Sequence, residues 1–218
     1  MRTKVGLTLS AALIAVNFVS AQTVRIGVGA GLESLMRGSI YTSPLSDFGY
    51  GFSPAEFSFS GLAKIGLPSL GLDLVFGCTY IPLSGNDQSD FFTGEDGLTY
   101  QRISMLDSRA SLFAASIGPQ WFVRKPGIGP YVGLRLSVVH MSSIASTVRS
   151  GAQILTKDGD GWTRLGFGIT GGIEIPESSP VSIDIGGHYN FDWMLDGVIG
   201  EPGLDEYGLT ATVLVSIL

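Results

Sequence analysis

The strongest constraint in this chain is a period of two, repeated eight times. Apolar and small or polar residues alternate along eight segments, as they must when successive side chains point to opposite faces of a strand. The first segment sets Val24, Ile26, Val28, Ala30 and Leu32 against Arg25, Gly27, Gly29, Gly31 and Glu33. The seventh sets Val181, Ile183, Ile185, Tyr189, Phe191 and Trp193 against Ser182, Asp184, Gly186, His188, Asn190 and Asp192. The eighth alternates Tyr207, Leu209, Ala211, Val213, Val215 and Ile217 with Gly208, Thr210, Thr212 and Ser216. Segments of about 10–13 residues suit tilted strands crossing a bilayer.

The connections alternate too. Residues 67–70, 124–130 and 176–180 are short and rich in Pro, Gly and Ser, and read as turns. Residues 34–55, 83–108, 142–161 and 194–206 are longer and read as loops. Short turns on one side and long loops on the other predict an all-β fold. It is an eight-stranded antiparallel up-and-down transmembrane β-barrel, with short periplasmic turns and longer extracellular loops.

Composition decides which face is wet. Only 15% of residues are charged while 31 are Gly, and mean hydropathy is +0.34. A soluble eight-stranded barrel of the lipocalin kind would carry apolar residues inside and many Lys and Glu outside. Here the polar face is mostly Gly, Ser and Thr, as the narrow lumen of eight strands requires. Aromatics gather at the ends of the apolar face: Phe57, Phe59, Tyr80, Trp121, Tyr189, Phe191, Trp193 and Tyr207 would form interfacial girdles. The secreted lipocalin-like carrier is the reading this arrangement disfavours.

Residues 1–21 have the form of a secretory signal peptide. Arg2 and Lys4 are followed by an apolar stretch, and Val19 and Ala21 stand at −3 and −1 of a cut before Gln22. The barrel domain is then 22–218, in the outer membrane. Net charge is −6, so nucleic acid is not an expected partner.

With the fold in view, Gly118, Pro119, Trp121 and Phe122, followed after a turn by Pro130, Tyr131, Val132 and Gly133, resemble a hairpin of the outer-membrane protein A/X-like family of small barrels. The resemblance implies a closed porin-like fold in a Gram-negative cell envelope. It implies outer-membrane lipid and lipopolysaccharide around it, the barrel-insertion machinery as partner, a monomer, and no cofactor. Members of that family usually end on an aromatic residue, whereas this chain ends on Ile217 and Leu218.

Several constellations could carry chemistry. Arg25, Lys64, Asp73, Arg135, Arg164, Glu174 and Asp184, with Asp192, share the inward face, and charges there must pair. Strand direction puts Arg25, Lys64, Asp73, Glu174 and Asp184 in the periplasmic half as a plug-like group, and the set is expected to form a salt-bridge network that closes the lumen. His140 and Ser142 resemble the His–Ser pair of lipid A deacylase, a lipid-modifying barrel enzyme, but no carboxylate stands at a spacing that would orient the His. His188 reads as a hydrogen-bonded lumen filler among Asp184, Asn190 and Asp192. Cys78 reads as a small apolar strand residue. Lys157, Asp158, Gly159, Asp160 and Gly161 are a fragment of a calcium loop without its closing Glu. Residues 83–108 carry Asp87, Asp90, Glu95, Asp96 and Asp107 around Phe91 and Phe92, and with 34–55 they are the expected places for a surface ligand. The expected function is therefore non-enzymatic: an envelope structural or surface-interaction role carried by the loops, with no catalytic residues and no metal.

Overall fold

The computed structural model describes residues 23–36, 55–85, 88–93, 97–123, 128–150, 153–176, 179–194 and 204–217. Residues 1–21, the expected signal peptide, lie outside them.

Eight strands close into a barrel: β1 (Val24–Met36), β2 (Ala55–Leu67), β3 (Leu72–Gly85), β5 (Thr99–Phe122), β6 (Gly129–Met141), β9 (Trp162–Ile175), β10 (Val181–Met194) and β11 (Leu204–Ser216). Each pairs antiparallel with the next, and β1 pairs β11 to close the ring. Closure is what hydrocarbon demands, because an unpaired backbone group there costs several kcal/mol. Among the described residues no helix is long and apolar enough to cross a membrane.

The alternation lies as the sequence predicts. Val28 is 74% exposed, Phe57 70% and Leu209 69%, while Lys64, Glu174, Asn190 and Glu206 on the other face are fully buried. An apolar outside around a polar inside is the reverse of a lipocalin and matches a lipid-embedded barrel. Between β2 and β3, Pro68–Leu70 form a single 3₁₀ turn, and Gly71, at φ 65°, closes it with its N–H on the Pro68 carbonyl at 3.2 Å. A residue with a Cβ is strained at that φ.

Two features differ from the sequence reading. Residues 83–108 and 142–161 are built largely of strand rather than loop. β3 runs on to Gly85, β4 (Gln88–Thr93) follows it, and β5 is 24 residues long. β7 (Ile144–Ser150) and β8 (Gln153–Gly159) form a hairpin, with β7 against β5. Strands β4, β5, β7 and β8, in that order, make an open sheet rising from one side of the barrel. The physical reason is strand-favouring composition: Phe91, Phe92, Tyr100, Ile103, Val148, Ile154 and Leu155 all lie in these segments. Residues 157–159 of the calcium-like fragment thus end a strand. The lumen, secondly, is not polar throughout. Toward the outer end Ile81, Leu83, Leu112, Ala114, Val139 and Met141 turn inward and pack together, with Ala110 and Trp162 beside them.

Candidate functional site

The lumen holds two polar clusters at different heights. The lower one is assembled by strand ends near the short turns. Arg25 is the second residue of β1, Asp73 the second of β3, and Glu174 the next to last of β9. Arg25 bridges Asp73 and Glu174; Lys64 bridges Asp184 and Glu174, the latter at 3.2 Å. Neutral donors complete it: Tyr131 Oη donates to Asp184 at 2.8 Å and Ser182 Oγ to Glu174 at 2.7 Å. The Lys64 ammonium lies 4.7 Å from the Tyr131 ring centre and 5.3 Å from that of Phe122. Taking an ion out of water costs several kcal/mol, so this density of pairing is what makes the buried charges tolerable. The cluster is buried inside the barrel near the end with the short turns. Gly186 makes room for it, since a Cβ there would meet the Tyr131 hydroxyl.

The upper cluster joins β1, β10 and β11. Glu33, His188 and Glu206 converge there. His188 Nε2 stands 3.2 Å from Glu33 Oε2 and 3.5 Å from Glu206 Oε1. The other oxygen of each glutamate is held from outside the trio: Ser58 Oγ donates to Glu33 Oε1 at 3.2 Å and Asn190 Nδ2 to Glu206 Oε2 at 3.1 Å. Asn190 Nδ2 also reaches Ser137 Oγ at 3.2 Å. Gly208 has no side chain because one would collide with the Glu33 carboxylate. Between the clusters lies a cavity of about 80 Å³ lined by His188, Asp184, Arg135, Tyr131, Thr170 and Thr210, among others.

The structure therefore divides the inward charges predicted from sequence. It brings Arg25, Lys64, Asp73, Glu174 and Asp184 together. Arg135 lies apart from that network, near enough to His188 and Glu206 to act on them electrostatically. Arg164 is toward the outer end, its guanidinium 4.1 Å from the Trp162 ring centre. The Asp192 side chain lies outside the described residues. His188 has Glu33 and Glu206 as neighbours rather than Asp184, with Asn190 one shell away. Sequence reasoning missed both glutamates as partners. Alternation does place them on the inward face; what it cannot supply is the register that carries Glu33 to Gly208 and His188 to the same Gly208.

Six of the girdle aromatics, Phe57, Phe59, Tyr80, Trp121, Tyr189 and Tyr207, face outward and are exposed. Phe191 is half-buried, and the Trp193 side chain lies outside the described residues. The distribution is one-sided. Tyr80 lies nine residues past Gly71, and Tyr189 nine past Pro180. At a rise of ~3.3 Å and a tilt of ~40° that is about 23 Å above the turns, the outer edge of an apolar band ~25 Å tall. Trp121, paired with Leu72, marks the inner edge.

The His140 and Ser142 side chains are engaged separately. His140 Nδ1 is 3.0 Å from Thr163 Oγ1. Ser142 Oγ accepts from the Ser111 N–H at 2.9 Å and donates to the Ser143 carbonyl at 3.1 Å. Of the acidic second loop, Asp90, Phe91 and Phe92 belong to β4 and Asp107 to β5, while Asp87, Glu95 and Asp96 lie outside the described residues, as do positions 37–54 and 195–203 of the first and last loops. Cys78 is exposed on the outer face, its Sγ 3.7 Å from the Gly61 carbonyl.

No protein-family model and no curated protein matches the chain. Solved structures do. Neisserial surface protein A superposes with a TM-score of 0.53 at 16% identity, covering 88% of this chain and 96% of its own. The outer-membrane protease OmpT of Escherichia coli gives 0.51 at 8% identity over 91% of this chain and 98% of its own. Ail, the attachment invasion locus protein of Yersinia pestis, gives 0.49 at 11% identity over 89% and 98%. Such identities speak for the fold alone. With its eight closed staves, apolar exterior and outer aromatic edge, the chain has the fold of the small eight-stranded outer-membrane β-barrels, and its place is the outer membrane.

Proposed function

We propose that this barrel is a non-enzymatic surface-interaction protein whose extracellular sheet meets its partner. The observation that carries the reading is the length of β5. Thr99 stands fourteen residues beyond Phe113, which lies level with Tyr80 in the register. At ~3.3 Å per residue and ~40° tilt the sheet of β4, β5, β7 and β8 rises on the order of 30 Å above the membrane edge. Ordered strand that far from lipid has no part in spanning the bilayer. In the described residues β8 pairs only with β7 and β4 only with β5, so the sheet offers backbone edges of the kind that bind extended segments of other chains. The engaged states of His140 and Ser142 favour a role without hydrolysis. The protein is read as a monomer amid lipopolysaccharide, delivered by the barrel-insertion machinery, and it requires no cofactor for this role.

The test replaces residues 144–159 with a short turn and displays both forms on intact cells. Attachment to immobilised extracellular-matrix and serum glycoproteins is compared, with heat-modifiable gel migration as the check on the barrel. Loss of attachment by a correctly inserted variant supports the proposal. Attachment equal in the wild type, the variant and the deletion strain overturns it.

A further inference from the structure

We infer that Glu33, His188 and Glu206 form a site inside the barrel for one divalent first-row transition ion. The three side chains are almost wholly buried: both glutamates are at 0% exposure and His188 is at 7%. The facing atoms, Glu33 Oε2, His188 Nε2 and Glu206 Oε1, lie within 4.8 Å of one another, and none makes a hydrogen bond of acceptable geometry. His188 Nε2 stands at ion-pair distance from both oxygens without hydrogen-bond geometry, and buried polar atoms left in that state are rare.

The spacing from Nε2 suits a metal ion held between the three. Two ligands each ~2.1 Å from a metal stand about 3.0 Å apart at a right angle and about 3.4 Å apart at the tetrahedral angle. The observed separations from Nε2 are 3.2 and 3.5 Å. The outer oxygens are oriented as metal-ligating carboxylates usually are. Ser58 holds one and Asn190 the other, which fixes each carboxylate with its free oxygen turned inward. Gly208 leaves the space that Glu33 needs. His188 also lines the cavity of about 80 Å³, large enough to supply water as a further ligand and a way in. One imidazole and two carboxylates without a thiolate suit Zn²⁺, Mn²⁺ or Fe²⁺ rather than Cu⁺, and the nitrogen ligand argues against Mg²⁺ and Ca²⁺. The ion would neutralise the two carboxylates. Arg135 is the competing cation, since it acts on both His188 and Glu206.

The experiment uses the full barrel without an affinity tag, purified in detergent and stripped with a chelator. Zn²⁺ is titrated calorimetrically and Co²⁺ by its visible absorption. One ion per chain is expected. Glu33→Gln, Glu206→Gln and His188→Gln should each weaken binding at least tenfold, and Asn190→Leu by about tenfold through the freed carboxylate. His140→Asn should change nothing, as the chain's second histidine lies on the outer face. Arg135→Gln should bind the ion more tightly. If the trio is instead a plain ion pair, the wild type takes up no Zn²⁺ beyond the level of His188→Gln, and Arg135→Gln gains none; either result overturns the inference. Heat-modifiable migration shows which variants are folded, and the comparison is drawn on any of the three ligand variants that is.

Discussion

Lys64 is the residue on which the lower plug depends most, and the reason is charge balance. The network holds two cations, Arg25 and Lys64, against three carboxylates, Asp73, Glu174 and Asp184, a formal excess of one negative charge. Lys64→Met removes a fully buried ammonium and widens that excess to two. Glu174 keeps Arg25 and Ser182, but among the described residues Asp184 keeps only the Tyr131 hydroxyl. Breaking a buried pair from one side costs about 3–5 kcal/mol. Asp73→Asn works the other way. It brings the formal charge to zero, Arg25 retains Glu174, and the amide oxygen can still accept from the guanidinium, so the loss is that of an ordinary hydrogen bond, ~1 kcal/mol. The expected difference between the two variants is therefore roughly 2 kcal/mol or more. Adding Asp184→Asn to Lys64→Met should recover part of the loss. The assay is reversible urea unfolding in phospholipid vesicles, read by the fluorescence of the three tryptophans, with slopes that match so that midpoints compare as stabilities. Equal costs for Lys64→Met and Asp73→Asn, or a larger cost for Asp73→Asn, would refute the charge-balance reasoning.

Three further outcomes are expected. Ile185→Arg, five residues above its turn on the outer face, should destabilise the barrel by about 2–4 kcal/mol, while Phe57→Arg at the outer edge should cost about 0–1 kcal/mol; the same unfolding assay would show a uniform cost if the belt were misplaced. Gly186→Val should lower stability by at least 1 kcal/mol through the displaced Tyr131 hydroxyl, and pairing it with Tyr131→Phe should relieve most of that; an additive double variant would contradict the contact. Cells carrying His140→Asn or Ser142→Ala should give the same lipid A mass spectrum as wild-type and deletion cells, whereas a deacylated species dependent on the wild-type chain would make the protein an enzyme.

Period two made the staves and their outward faces legible, because a single slipped residue would bury the apolar set or expose the charges. It did not show where strands stop. Pro82 breaks the alternation in sequence, since proline cannot donate to a ladder. In the fold it is exposed on β3 opposite Ser111, and β3 continues past it, while the Ser111 N–H is taken by Ser142 from the other side. The lower plug was partly legible because its members lie near turns whose positions Pro and Gly announce. The upper trio was not. Glu33, His188 and Glu206 are brought together by the closing β1–β11 ladder, and closure joins the two ends of the sequence without any local signal. From sequence, Arg135 and Arg164 are expected in the same network because they share the inward face, although strand direction sets only the other five in the periplasmic half.

A barrel turned this way must have its outer face bathed in lipid, and Cys78 tests that without mutation. It is the only cysteine in the chain, exposed on the outer face of β3, seven residues above Gly71 and so roughly 18 Å up a band ~25 Å tall. A nitroxide attached there in the vesicle-inserted barrel should collide readily with oxygen and hardly at all with a water-soluble nickel chelate. Ready collision with the nickel chelate instead, in the folded and inserted protein, would mean that this face meets water and that the barrel is not turned as described.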